Sequence, residues 1–174
     1  MCERNLYLVR HGQLDLGAFA KDQFTAGLTP LGREQARFTA KRFRALDVKA
    51  IYSSTLGRAR ETADIIAEEF PGIVVRATAL LWELQSSPRA IQRGKHAFSF
   101  FVRPTRQRQR IEIVVSHGNL IRYFACRVLG IDPESWSRLG TSHCGITQLC
   151  IGPQKSVRVV CYNETGHLPT RLRT

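Results

Sequence analysis

Apolar and polar positions follow two periods along this chain, and the switches between them mark out its elements. Asn5 to Val9 is a short apolar run ending at Arg10-His11-Gly12, which predicts a first, central strand. Gln13 to Leu28 mixes Gly, Asp and Ala with weak periodicity and reads as a surface loop. A helix is expected from Thr29-Pro30, because the hydroxyl can cap free N–H groups and proline suits a first helical turn. Ala36, Ala40, Phe43 and Leu46 then share one helical face. Val48 to Ser53 predicts a second strand, Gly57 to Phe70 a helix stopped by Pro71-Gly72, and Ile73 to Arg76 a short strand. Leu80 to Glu83 leads into a loop with Ser86, Ser87 and Pro88, and Ile91 to Val102 is expected to be helical. Ile111 to Ser116 carries a single charge, the pattern of a strand buried on both faces. Asn119 to Leu129 predicts a helix, and Gly145 to Ile151 with Ser156 to Cys161 a hairpin around Gly152-Pro153. Strands alternating with helices argue for an α/β sheet sandwich, without internal repeats or a low-complexity linker.

The chemistry-bearing residues sit where predicted strands end. The first strand delivers Arg10-His11-Gly12-Gln13, placing a cation, an imidazole and a glycine where backbone N–H groups turn outward. Such a corner can hold a phosphoryl group and attack it. Ile111 to Ser116 delivers a second pair, His117-Gly118, followed by Asn119. Tyr52 to Ala63 joins strand to helix and carries Arg58, and Leu28 to Ala36 opens the first long helix. In this order the four segments resemble the histidine phosphatase superfamily, with its phosphoglycerate-mutase-like fold. The later part of the chain resembles the mitochondrial serine/threonine protein phosphatase branch, through Asn119 to Tyr123, Cys126-Arg127, Pro133, Trp136, Arg138-Leu139, Gly145 to Thr147 and Thr165 to Pro169. Between Glu83 and Ile111 the chain is shorter than that branch implies, where substrate-covering elements would sit.

The resemblance implies a three-layer α/β sandwich with a mainly parallel central sheet flanked by helices. It also implies a metal-independent phosphomonoester hydrolase. His11 is the expected nucleophile: an imidazole of pKa about 6.5 is mostly neutral at pH 7, and phosphohistidine formation splits one hard step into two. Arg10 and Arg58 are expected to clamp the phosphoryl oxygens, with Arg58 near a helix start that itself favours anions. On the residues alone, an ion pair of Arg58 with Glu61 or Asp64 on its own helix is the favoured reading, and the resemblance reverses it. His117, read as an imidazolium, would donate to a non-bridging oxygen, and Gly12 and Gly118 would let the backbone approach. Glu83, after apolar Leu80-Leu81-Trp82, is the expected proton donor, with Asp15 and Asp22 as alternatives. Gln13, Asn119 and Thr29 are candidates to touch phosphate or order the pocket. His143 and His167 are read either as lining its mouth or as loop histidines, and His96 as surface.

Composition narrows the picture. At 174 residues, 43% hydrophobic and 23% charged, the chain suits one soluble domain. No run of about 18 or more apolar residues is present, and Met1 to Asn5 leads into the first strand without a secretory pattern. Five cysteines without a Cys-x-x-Cys spacing are read as reduced thiols in a cytoplasmic setting. No metal or other cofactor is expected, since neither metal-ligand spacing nor a nucleotide-binding glycine–lysine loop occurs. The formal charge of +12 favours anionic partners. Arg103 to Arg110 reads as a solvated loop or an electropositive lip over the pocket, and less as a nucleic-acid patch, because no aromatics alternate with its arginines. The expected partner is therefore a phosphorylated protein or a small phosphorylated metabolite, with oligomeric state open. A catalytically weak phosphate- or nucleic-acid-binding module is the alternative from another class.

Overall fold

A computed structural model describes residues 3–105 and 109–174. Its centre is β1 (Arg4–Arg10), which pairs in parallel with β4 (Arg110–Ser116) and antiparallel with β5 (Ile146–Ile151). The sheet is completed by β2 (Val48–Ser54), β3 (Arg76–Thr78) and β6 (Val157–Glu164), in the order β3-β2-β4-β1-β5-β6. β3, β2, β4 and β1 run parallel, and the β5–β6 hairpin makes the antiparallel side.

Strand alternation sorts two cores. On one face Tyr7 and Val9 meet Ile113 and Val115 beneath α2 (Pro30–Phe43) and α3 (Gly57–Ala67), which bring Ala40, Phe43, Ala59, Ala63 and Ile66. On the other, Leu6, Leu8 and Val114 lie under α4 (Pro88–Phe101) and α5 (Gly118–Leu129), with Phe101, Leu120 and Phe124. Helices thus cover both faces of a mainly parallel sheet, giving the three-layer α/β sandwich. The chain leaves β1 toward one face and β4 toward the other. Those neighbouring strands therefore open a crevice at their carboxyl ends, the usual ligand position in open α/β sheets.

Several local expectations change. Residues 13–28 contain a short helix, α1 (Leu16–Lys21), capped by Asp15, whose Oδ1 accepts from Gly17 and Ala18 N–H. It buries no residue, so no apolar period announced it. β3 begins at Arg76, because the chain after Phe70 is held in a turn by the Ile73 N–H to Phe70 carbonyl bond. α4 starts at Pro88, three residues before Ile91, with Ser87 as its cap. α3 ends at Ala67 rather than Phe70.

The arginine-rich stretch is also relocated. Arg106 to Arg108 fall outside the described residues. Arg103 and Arg110 lie at the amino end of β4, the edge opposite the crevice. Arg110 pairs with Glu112, and the Arg103 carbonyl accepts from Arg4. These residues form no lip over the pocket. Among the cysteines, Cys126, Cys144 and Cys161 are free, whereas Cys150 is disulfide-bonded, against the all-thiol expectation. No helix among the described residues is long and apolar enough to cross a membrane.

Candidate active site

His11 and His117 meet because β1 and β4 end together. Arg10 pairs with Ser116 in register, and the His11 N–H donates to the Ser116 carbonyl at 3.0 Å. The two imidazole centroids are 5.1 Å apart, and the His143 ring lies 5.8 Å from that of His11. His11 and His117 are only 2% and 0% exposed.

The tautomer of His11 follows from its partner. Nδ1 lies 2.8 Å from the Gly12 carbonyl oxygen, which can only accept, so Nδ1 carries the proton. Nε2 is left with its lone pair, facing Arg58 Nε at 3.3 Å. Burial, with the charges of Arg58 and Arg10, holds His11 well below the usual histidine pKa and keeps it neutral. Gly12 sits where its N–H donates to Thr62 Oγ1 and where any Cβ would stand 2.5 Å from the Gly32 carbonyl oxygen. Only glycine lets the start of α2 approach this closely.

His117 is also neutral. Burial and the charges of Arg58, Arg10 and Arg93 press its pKa well below the usual value. Burial thus works against the imidazolium expected from the sequence. Its Nε2 lies 2.9 Å from Ser54 Oγ, which already accepts from the Leu56 N–H. Its Nδ1 is buried without a partner. Gly118 opens α5 against Thr141, whose Oγ1 would stand 2.8 Å from a Cβ there.

Arginines converge on this pair. Arg58 is 6% exposed, donates to the Gln23 carbonyl, and lies 5.6 Å from the Phe19 ring. Its own-helix neighbours are engaged elsewhere, Glu61 with Arg33 and Asp64 with Arg60. Arg10 donates to the Thr141 carbonyl at 2.5 Å and keeps a buried Nε with no partner. Burial lowers the pKa of both guanidinium groups.

Glu83 enters from the loop before α4. Its Oε1 accepts the backbone N–H of Asn119 at 3.0 Å and of Leu84 at 3.1 Å, tying it to the first turn of α5. Burial raises its pKa, opposed by those two hydrogen bonds and by Arg58 and Arg10. Asp15 and Asp22 are spent elsewhere. Asp15 caps α1, and Asp22 is exposed and accepts from Phe24 and Thr25. Gln13, Thr29 and Asn119 order the surroundings. Thr29 Oγ1 accepts from the Gly32 N–H as the α2 cap and donates to Gln13 Oε1, while Asn119 Nδ2 donates to the Leu84 carbonyl. His143 is bound to Thr174, with burial pressing its pKa to about 4. His167 meets Thr39 and Glu164 instead. His96 bonds Gln92 on the exposed side of α4.

Sequence reasoning passed over Arg93 and Arg122. Arg93 Nη2 donates to the Glu83 and Trp82 carbonyls at 2.7 and 3.3 Å, and Arg122 Nη1 donates to Asn119 Oδ1 at 3.1 Å. Both lie on amphipathic helices among other arginines, where sequence offers nothing to single them out. Among the described residues, no group of three His, Cys, Asp or Glu side chains is placed to hold a metal.

With the two neutral histidines, half-buried Arg10 and buried Arg58 in place, the model of the histidine phosphatase superfamily (branch 1) matches this chain over residues 6–88 and 83–165. The chain belongs to that superfamily. It is 36% identical over 95% of its length to the mitochondrial serine/threonine-protein phosphatase PGAM5 of Homo sapiens, and 33% identical over 95% to that of Caenorhabditis elegans. It spans 64% of the length of these two relatives. Among solved structures it is similar to a phosphoglycerate mutase from Plasmodium falciparum, with TM-score 0.72, 30% identity, and 98% of this chain and 96% of that one covered.

Proposed function

We propose that this protein is a phosphomonoester hydrolase acting through a phosphohistidine on His11, and that its substrates are phosphoserine or phosphothreonine in proteins. The observation that carries the reading is the forced tautomer of His11, with Nδ1–H on the Gly12 carbonyl and the Nε2 lone pair facing buried Arg58. The chain acts as one catalytic unit, and the chemistry calls on no cofactor.

In this reading a phosphate ester displaces the long Arg58 contact from Nε2 and takes Arg58 and Arg10 onto its oxygens. His117 Nδ1–H, free of any protein partner when Ser54 donates to Nε2, adds a third donor. Nε2 attacks phosphorus in line, the P–N bond forms, and the P–O ester bond breaks. Preorganised donors stabilise the charge on the equatorial oxygens. Glu83, whose protonated form burial favours, gives its proton to the leaving oxygen. Its carboxylate then takes a proton from water as that water attacks phosphorus. The P–N bond breaks, phosphate leaves, and Glu83 is protonated again.

The protein-phosphatase assignment is supported by the PGAM5 relatives, named as serine/threonine-protein phosphatases. A small phosphorylated metabolite is the second reading, supported by the likeness to the Plasmodium phosphoglycerate mutase. The test is hydrolysis of p-nitrophenyl phosphate in EDTA by the wild type and His11→Ala. Turnover that survives chelation and falls more than about 10⁴-fold in the variant is expected, the scale of losing a covalent nucleophile. Equal rates in both proteins refute the reading. A folded wild type without turnover shifts it to a binding module. Phosphopeptides set against phosphometabolites then decide the substrate class.

A further inference from the structure

A buried amide that the catalytic cycle does not use lies directly behind the nucleophile. Gln35, on α2, is 0% exposed. Its Oε1 accepts from the Gln13 N–H at 2.8 Å. Its Nε2 donates to the Leu172 carbonyl at 2.7 Å and to Thr174 Oγ1 at 2.9 Å. A backbone N–H only donates and a backbone carbonyl only accepts, so the Gln35 amide fits one way round.

The Gln13 N–H belongs to the same peptide group as the Gly12 carbonyl, and that carbonyl accepts from His11 Nδ1. Gln35 therefore holds one edge of a peptide plane whose other edge meets the nucleophile. The planes on either side have their own anchors. The Gly12 N–H donates to Thr62 Oγ1, and the Gln13 carbonyl accepts from the Thr29 N–H. Reversing the middle plane would aim an N–H at Nδ1. Neutral His11 would then keep its lone pair on Nδ1 and carry its proton on Nε2, facing the Arg58 donor, with no electron pair left to attack phosphorus. Glycine at position 12 has no Cβ to resist that reversal. The close approach of α2 that requires glycine there thus also softens the peptide, and the hydrogen bond from Gln13 to Gln35 supplies the restraint.

Resting on the phosphatase reading above, we propose that Gln35 is a positioning residue for the reaction. It fixes the Gly12–Gln13 peptide, and through it the tautomer that leaves His11 Nε2 free to attack. The Leu172 carbonyl and the Thr174 hydroxyl complete the arrangement by setting the direction of the amide. Residues 172–174, far from His11 in the chain, are thereby linked to where its proton sits.

The experiment compares the wild type with Gln35→Met and Gln35→Glu. Both variants keep the length of the side chain. Gln35→Met removes the acceptor for the Gln13 N–H, whereas a carboxyl group offers an acceptor oxygen whichever way it lies. Nitrogen-15 NMR of histidine-labelled protein reads the His11 tautomer, with the signal assigned by its absence from His11→Ala. Hydrolysis of p-nitrophenyl phosphate reads the rate, and circular dichroism checks the fold. The wild type is expected to carry its proton on Nδ1. Gln35→Met is expected to move part of the population to the Nε2–H form and to lower kcat/KM about 10- to 100-fold, the scale of a misplaced reacting group. Gln35→Glu is expected to keep the wild-type tautomer and to stay within about fivefold of its rate. A folded Gln35→Met with the tautomer unchanged, whatever its rate, overturns the proposal. So does a Gln35→Glu protein that loses tautomer and rate as fully as Gln35→Met. An Nε2–H tautomer in the wild type overturns it without any variant. A wild type that turns over no p-nitrophenyl phosphate, while the tautomers respond as expected, overturns the phosphatase reading and leaves the link from Gln35 to His11 standing.

Discussion

The two ends of β1 each carry an arginine, and the two arginines live by opposite rules. Arg4, at the amino end, is 6% exposed and saturated. Its Nε and Nη2 donate to Glu112, and its Nη1 to the Phe101 and Arg103 carbonyls. Glu112, 1% exposed, also receives Arg110. Arg10, at the carboxyl end, has one carbonyl partner, a buried Nε with none, and other arginines for neighbours. The same side chain on the same strand is structural where its donors are filled and poised for a ligand where they are not. Charge alone does not distinguish the two; the count of satisfied donors does.

The largest expected effect breaks the saturated end. Glu112→Ala leaves Arg4 and Arg110 facing each other without a counter-charge, and a loss of about 3–5 kcal/mol in unfolding free energy is expected by urea titration. Arg10→Gln is the sharper contrast. It should cost about 10²–10³-fold in kcat/KM for an aryl phosphate, the effect of removing one preorganised donor. Its thermal midpoint should stay level or rise, because a like charge leaves the cluster. An Arg10→Gln protein destabilised as much as Glu112→Ala would erase the distinction between the two ends.

The pH profile gives a smaller effect with a definite sign. His11 must be neutral, and its pKa is pressed down, so the acid limb lies below 6.5. Glu83 must be protonated, and its pKa is raised, so the alkaline limb lies above 4.5. The kcat/KM profile is therefore expected to be bell-shaped, with His11 setting its acid limb and Glu83 its alkaline limb. In Glu83→Gln, activity falls about 10²-fold or more and the alkaline limb disappears. A profile that keeps its alkaline limb in the variant assigns the proton to another group.

The sequence carried the skeleton of this comparison but not its sense. Strand-end motifs at Arg10-His11-Gly12 and His117-Gly118 were legible, because buried strands have a short, strongly apolar period and their exits are abrupt. The lone charge in Ile111 to Ser116 was visible as an oddity, yet its partner Arg4 lies 108 residues away in the chain, and pairing at that range leaves no local signal. For the same reason Arg103 to Arg110 could be read as a pocket lip, when its described members serve the opposite edge. The short α1 escaped because it buries nothing. Arg93 and Arg122 escaped because a surface helix in so basic a chain gives many arginines the same appearance, and only donor satisfaction separates them.

The most direct test of the central claim is to locate the phosphoryl group during turnover. The wild type is mixed with a labelled phosphomonoester, quenched in alkali within the first turnovers, digested and mapped by mass spectrometry. A phosphoryl group on the His11 imidazole, acid-labile and absent from His11→Ala, is the predicted result. Sustained turnover with the label on another residue, or with no covalent label in the quenched enzyme and undiminished activity in His11→Ala, contradicts the account.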